Sequence, residues 1–257
     1  MRTVILAGGR GTRLSEETSL VPKPMVKIAG KPILWHIMQI YAAQGHCEFT
    51  LALGYLGDVI RDYVRNLPFL YSDLTVNLEQ GNVEFKKNYE NLPLVISTLE
   101  TGLDTQTGGR VLRAIESFDD EIFMITYGDG LGNVNVNELI KFHKESNKLL
   151  TVTAVRPPAR FGNLKFDDDK NVSHFGEKIQ TDAGWINGGF FVANRQIMKY
   201  FDSDSDVFEQ QVMNRITRDG QLSAFQHHGF WQPMDTVRER DQLDKLATQD
   251  NPPWLKI

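Results

Sequence analysis

Cysteine is nearly absent: Cys47 is the only one in the chain. A single thiol excludes an intrachain disulfide and any cysteine-built metal site, and it fits a reducing cytoplasm. Long apolar runs are missing too, and the longest is far too short to cross a bilayer. The first residues read as a strand, not as a charged-then-apolar leader, so no export signal is visible. Basic residues are in deficit, 28 Lys and Arg against 33 Asp and Glu, for a formal net charge of −5. Nucleic acid and anionic membrane surfaces are therefore poor partners. Any cations that handle phosphate must be gathered locally or helped by a metal. Internal repeats and low-complexity linkers are absent, and so is any Ser-His-Asp or Cys-His constellation.

What remains is ordinary globular usage: 257 residues, 41% hydrophobic and 24% charged, with ample chain to bury a large core. Residues 2–6 predict a buried strand. Ile33, Leu34, Ile37, Met38 and Tyr41 recur at helical spacing and stop at Gly45, a C-terminal cap position. A strand at 48–53 and a helix through about Arg65 follow. The more polar stretch 74–99 suggests a hairpin inserted beside the sheet. Helices near 108–117 and 135–147 then alternate with strands at 121–127 and 150–155. Residues 160–193 look antiparallel, with turn signals at Asp167-Asp168-Asp169 and Asp182-Ala183-Gly184. Helices at about 195–201 and 206–218, a strand at 222–226 and a helix at 236–248 complete the pattern. The expectation is one α/β domain over 1–257, with a Rossmann-like, mainly parallel mixed sheet flanked by helices and a small antiparallel portion.

The most informative segment is Leu6-Ala7-Gly8-Gly9-Arg10-Gly11-Thr12-Arg13-Leu14. Its three glycines let the backbone approach phosphate oxygens without a Cβ in the way. Arg10 and Arg13, with Lys23 of Pro22-Lys23-Pro24-Met25, add charge around the same point. A Walker A loop is excluded because no glycine precedes Lys-Ser or Lys-Thr. The Gly-x-Gly-x-x-Gly dinucleotide fingerprint is excluded because Leu14 stands where its third glycine belongs.

The strand ending at Tyr127 runs into Gly128-Asp129-Gly130, a carboxylate at the strand end where open α/β sheets collect ligands. A carboxylate plus phosphate oxygens is the usual way of holding Mg²⁺. A second carboxylate, Asp235, lies just before Thr236 and Glu239, whose spacing is that of a capping box. Asp235 is then a helix-start residue, a metal ligand, or both. Thr101-Gly102 and Thr107-Gly108-Gly109-Arg110 form a second glycine-rich junction, whose N–H groups could meet phosphate or a base edge, or be capped by Thr107. Asn187-Gly188-Gly189 sets an amide that can donate and accept on a strand whose glycines suggest close approach. Glu177-Lys178 reads as a solvated pair on residues alone. His227-His228 carry no metal spacing, and Trp185 and Trp231 suit either packing or stacking.

Taken in order, Gly8 to Leu14, Pro22 to Met25, Gly128-Asp129-Gly130, Glu177-Lys178, Asn187-Gly188-Gly189 and Trp231 to Thr236 run along almost the whole chain. In this the sequence resembles the sugar-1-phosphate nucleotidylyltransferases. Leu14 to Thr18, Lys31 to Met38, Thr107 to Arg110, Pro158 to Gly162 and Gly229 to Thr236 resemble more narrowly the glucose-1-phosphate cytidylyltransferase branch. That branch makes CDP-glucose from CTP for surface polysaccharide such as O-antigen. The resemblance implies the nucleotidyltransferase fold, with a nucleotide-binding part at about 1–130 and a sugar-phosphate-binding part at about 131–257. It implies that Leu6, Ala7, Gly8, Gly9, Arg10, Gly11, Thr12 and Arg13 hold the nucleotide, with Lys23, Thr105, Arg110 and Gly128. It assigns the reaction to Lys23, Arg13 and Asp129, and Mg²⁺ to Asp129 and Asp235. Glu177, Lys178, Asn187 and Gly188 would contact the sugar phosphate. Homo-oligomers are implied, hexamers among them.

Four positions depart from that pattern: Val21 where relatives carry a lysine, Glu100 for aspartate, Ile179 for proline, and the bulky Trp185. Another acceptor or nucleotide, a non-catalytic regulatory homologue and a nucleotide-sugar glycosyltransferase are the alternatives. Retention of Lys23, Asp129 and Asp235 argues against the regulatory one, and the lack of Asp-x-Asp at a strand end argues against the last.

Overall fold

A computed structural model describes residues 1–11, 21–88, 93–157, 163–166, 171–176 and 184–256. The chain opens with β1 (Thr3–Leu6), makes a small hairpin from β2 (Lys27–Ile28) and β3 (Lys31–Pro32), and enters helix α1 (Ile33–Ala42). Next come β4 (Glu48–Leu53), α2 (Gly57–Leu70), a hairpin of β5 (Ser72–Asn77) and β6 (Asn82–Asn88), β7 (Val95–Glu100), α3 (Thr107–Glu116) and β8 (Ile122–Tyr127). The rest comprises β9 (Gly130–Gly132), α4 (Val136–Ser146), β10 (Leu150–Val155), β11 (Asn163–Phe166), β12 (Val172–Gly176) and β13 (Ile186–Asn194). It ends with α5 (Met213–Arg218), β14 (Leu222–His227), β15 (Trp231–Pro233) and α6 (Val237–Ala247). No described helix is long and apolar enough to cross a membrane.

Seven strands form one sheet in the order β14-β10-β13-β8-β1-β4-β7. β1 pairs in parallel with β4 and β8, β4 with β7, and β10 with β14; only β13 runs against its neighbours β8 and β10. The apolar run Thr3–Leu6 is buried at every position, as a strand covered on both faces must be. Side chains alternate between two cores: Ile5 and Met124 face one, and Val4, Leu6, Phe123 and Ile125 the other. α1, α4 and α6 close the first with Ile37, Met38, Leu139 and Leu243. α3 and the segment 195–216 close the second with Val111, Ile115, Ile197 and Phe208.

Local signals act where the residues place them. Gly45 takes φ +87° after α1, a conformation open to glycine because it has no Cβ. The Asn135 side chain caps α4 by accepting from the Glu138 N–H. Thr236 and Glu239 form a complete capping box on α6.

Three expectations are corrected. Val95–Glu100 belongs to no inserted hairpin; it is the edge strand of the main sheet, parallel to β4. Its half-exposed, polar alternation is what an edge position produces. The hairpin is confined to 72–88. Residues 160–193 do not form one antiparallel unit, since β11 pairs with β12 whereas β13 crosses the central sheet. The turn signals at 167–169 and 182–183 lie outside the described residues. Finally, the N–H of Gly108 is not available to a ligand: it donates to Asp206 O at 2.8 Å. Nor does Thr107 cap α3, because its hydroxyl donates to Glu209.

The Gly108-Gly109 pair lets α3 dock on the 204–206 loop. A Cβ on Gly109 would stand 2.7 Å from Asp204 Cα, and one on Gly108 3.0 Å from the Asp206 carbonyl carbon. Asp206 is buried and accepts from Arg215 Nη1 and from the Asp202 N–H, each at 2.8 Å. The Arg215 hydrogen bond holds its carboxyl below the usual range against the opposing pull of burial.

Gly108→Ala is expected to lower the melting temperature by several degrees, at a cost of about 1–3 kcal/mol for a backbone clash. Helix propensity alone would raise it, so a higher melting temperature would show the contact is not there. Asp206→Asn is expected to destabilise the protein at neutral pH. A depressed carboxyl contributes stability above its unfolded value and loses it as pH falls through the lowered folded value. Urea melts should therefore bring variant and parent together only in acid.

Candidate active site

β1, β4, β7 and β8 deliver their carboxyl ends to one edge of the sheet, where a cavity of about 550 Å³ opens. Its walls come from Leu6 to Gly11, Lys23-Pro24, Leu103 to Thr107, Arg110, Tyr127 to Asp129, and Asp235. Sheet pairing persists past β1, with the Ala7 N–H on Ala52 O at 3.0 Å and the Tyr55 N–H on Gly8 O at 3.2 Å. This pairing fixes the start of the glycine loop.

The glycines here make room for side chains. The Arg110 guanidinium lies between Gly8 and Gly54; its Cζ would be 2.6 Å from a Cβ on the first and 2.7 Å from one on the second. Arg110 Nη1 donates to Thr101 Oγ1 at 2.6 Å, Leu53 O at 2.8 Å and Gly102 O at 2.9 Å. Burial lowers its pKa, against the nearby charge of Glu100. Arg110 thus lines the cavity while bracing the loop that carries Thr105. A Cβ on Gly128 would meet Pro24 Cγ at 2.8 Å and Leu6 O at 2.9 Å, so this glycine lets the Pro22–Met25 turn lie against the sheet.

That turn is a short 3-10 helix over Lys23–Met25, closed by Met25 N–H to Pro22 O at 2.7 Å. It buries Lys23 and aims the ammonium at two carboxylates. Lys23 Nζ donates to Asp129 Oδ2 and to Asp235 Oδ1, each at 2.7 Å. Burial pulls its pKa down, but Asp129 and Asp235 more than offset this and leave it raised. Asp235 arrives through a strand pairing not foreseen from sequence: β15 is antiparallel to β9, with Pro233 opposite Gly130. The Met234 N–H then donates to Asp129 O at 2.8 Å. Glu239 accepts the backbone N–H groups of Asp235 and Thr236 at 2.8 and 3.0 Å. The helix start is satisfied by Thr236 and Glu239, and the Asp235 carboxylate faces Lys23. The helix-start reading of this residue holds, and it leaves the Asp235 carboxylate directed into the cavity.

The cavity also gathers Leu6, Ala7, Gly9, Gly11, Thr105 and Arg10, the last paired with Asp104 at 3.0 Å in solvent. Asn187 sits behind Tyr127, donating from Nδ2 to its hydroxyl at 3.0 Å. Gly188 is buried: Val155 Cγ1 would lie 2.6 Å from its Cβ, and its carbonyl accepts from Trp231 Nε1 at 2.8 Å. Trp231 is therefore an anchor of β15 to β13. Trp185 packs edge-on to His228, with Arg156 over its face. Thr12, Arg13, Glu177 and Lys178 lie outside the described residues. Sequence reasoning missed Tyr127, Leu103, Asp104 and Gln106 as cavity residues, and Glu209 behind them. Tyr127 could have been found from its place before Gly128-Asp129; Glu209 carries no local signal.

Residues 2–237 match the family model described as nucleotidyl transferase. The chain belongs to this family. A glucose-1-phosphate cytidylyltransferase of Salmonella typhi is 44% identical over 256 residues, 99% of this chain and 98% of that protein. A mannose-1-phosphate guanyltransferase of Emericella nidulans is 29% identical over 95% of this chain and 62% of its own. The crystal structure of HddC from Yersinia pseudotuberculosis shares the fold at a TM-score of 0.70, with 24% identity over 95% of this chain and 98% of that one. The mixed, mainly parallel sheet with helices on both faces is thus the nucleotidyltransferase fold.

Arg110→Met in this nucleotidyltransferase would leave the Gly102 carbonyl and the Thr101 hydroxyl short of a donor, while the Leu53 carbonyl keeps the Thr101 N–H and hydroxyl. Each such loss costs about 1–3 kcal/mol. Urea unfolding is expected to show a clearly lower midpoint, and an unchanged midpoint would show that the brace is dispensable.

Proposed function

We propose that this chain transfers a cytidylyl group from CTP to α-D-glucose 1-phosphate, giving CDP-glucose and pyrophosphate. The observation that carries this reading is the full-length likeness to the Salmonella cytidylyltransferase. The clustering of Lys23, Asp129 and Asp235 beside the glycine loop supplies the chemistry.

An oxygen of the sugar phosphate attacks the α-phosphorus of CTP, and the bond to pyrophosphate breaks. A phosphate whose second pKa is about 6 is largely dianionic at neutral pH, so no general base is needed. The protein's task is to align two mutually repelling anions and to offset their charge. Lys23 brings a buried, pre-aimed ammonium to that point. The backbone of Gly8 to Thr12 and the side chain of Arg13 are assigned to the triphosphate, with Thr105, Arg110 and Gly128 beside the nucleoside. Glu177, Lys178, Asn187 and Gly188 are assigned to the acceptor side.

Asp129 and Asp235 are assigned to Mg²⁺. Both reach the same Lys23 ammonium, so their oxygens converge on one point. Among the described residues no group of three or more His, Cys, Asp or Glu is placed to hold a metal. Two carboxylates completed by phosphate oxygens and water is the manner in which Mg²⁺ is commonly held. When bound, the ion would neutralise charge on the reacting phosphates. The charged substrates assign the protein to the cytoplasm. Exposed Phe69, Leu70, Leu78 and Phe85 on α2 and the β5–β6 hairpin support a homo-oligomer.

Lys23→Ala is expected to lower turnover on the order of 10²–10³-fold, as loss of one transition-state charge partner does. Pyrophosphate release is to be measured with CTP, UTP, dTTP and ATP against a panel of sugar phosphates. Near-full rate in the variant would remove Lys23 from the mechanism. A parent that prefers another pair would replace the substrates.

A further inference from the structure

Glu209 belongs to none of the motifs described, yet it lies at the junction between the two sides of the site. It sits on the π-helical turn Phe208–Val212. Its carboxylate accepts two hydroxyl protons, from Tyr127 at 2.5 Å through Oε1 and from Thr107 at 2.9 Å through Oε2. Thr107 Oγ1 in turn accepts the Phe208 N–H at 2.9 Å. An ionised carboxylate only accepts, and a phenol has one proton to give. Tyr127 therefore points its proton at Glu209, and its oxygen can only accept from Asn187 Nδ2, 3.0 Å away. The other end of the amide is committed too, because Asn187 Oδ1 accepts the Gly189 N–H at 2.8 Å. Gly189 has φ +83°, and a Cβ there would meet Tyr127 Cδ2 at 2.5 Å, so the ring has no room to swing that way.

We propose that Glu209 is a positioning residue for the acceptor: acting through Tyr127, it fixes the Asn187 amide so that its remaining N–H donates to an oxygen of the sugar phosphate. The inference rests on the assignment of Asn187 to the acceptor side. It identifies what Asn187 offers, a donor, and so the ligand chemistry it selects, a hydroxyl or phosphate oxygen able to accept. With a neutral partner the phenol proton is no longer drawn to one acceptor, and the Asn187 amide keeps only the Gly189 N–H to hold its orientation.

Tyr127→Phe, Glu209→Gln and the double variant test this with steady-state kinetics on whichever nucleotide and sugar-phosphate pair the parent turns over best. Tyr127→Phe is expected to raise the acceptor KM roughly tenfold, the value of one hydrogen bond, with the nucleotide KM within about twofold. Glu209→Gln, nearly isosteric, is expected to shift the same constant in the same direction by a smaller factor. The deciding result is the double variant: if Glu209 acts through Tyr127, it is no worse than Tyr127→Phe alone. Additive losses, or equal rises in both KM values, would overturn the relay, as would a melting temperature that falls in step with activity. A parent that turns over a different pair corrects the substrates and leaves the relay to be judged on the variants. A parent silent with every pair overturns both.

Discussion

The placement of one ammonium between two carboxylates is the constraint around which this molecule is arranged. Asp129 and Asp235 are far apart in the chain and carry like charge, so bringing them together in a partly buried site is unfavourable unless a cation lies between them. Lys23 supplies it at 2.7 Å to each. Such ion groups contribute little net stability once desolvation is counted, and their attested use is to fix a unique arrangement. Three separate devices converge on this one: the proline-flanked turn that aims Lys23, Gly128 against which Pro24 rests, and the β9–β15 pairing that carries Asp235.

The glycines of the site divide by what fills the space they leave. Gly8 and Gly54 leave it to the Arg110 guanidinium, Gly128 to Pro24, Gly188 to Val155 and Gly189 to the Tyr127 ring. Gly9 is different, since among the described residues nothing lies within 4 Å of where its Cβ would be. Within one motif, then, one glycine serves internal packing and the next faces open space. A motif read only as a phosphate cradle hides that division of labour.

Much of the central sheet was legible because its strands are short apolar runs buried on both faces, and such runs leave little ambiguity in β1, β4, β8 and β10. The edge strand β7 was not, because half-exposed edges carry the same polar alternation as a hairpin. The Lys23, Asp129 and Asp235 set was legible as three separate candidates, each marked by glycine, proline or a capping box. Their meeting was not, since it depends on a three-residue strand pair, Trp231–Pro233 with Gly130–Gly132, that no periodicity announces. Glu209 was invisible for a related reason: it meets Tyr127 and Thr107 only across the fold, and its neighbours Phe208 and Val212 read simply as core.

The strand pair β9–β15 also governs when the site can exist during synthesis. A nascent chain made as far as β14 contains every strand of the central sheet and the glycine loop, but it lacks Asp235 and the Met234, Leu243 and Trp254 that complete one core. Lys23 would then have one carboxylate in place of two until the last strand, with the helix behind it, is translated and docks. The charge cluster can therefore be completed only after every strand of the central sheet has been made, together with the last part of the core that packs beneath it.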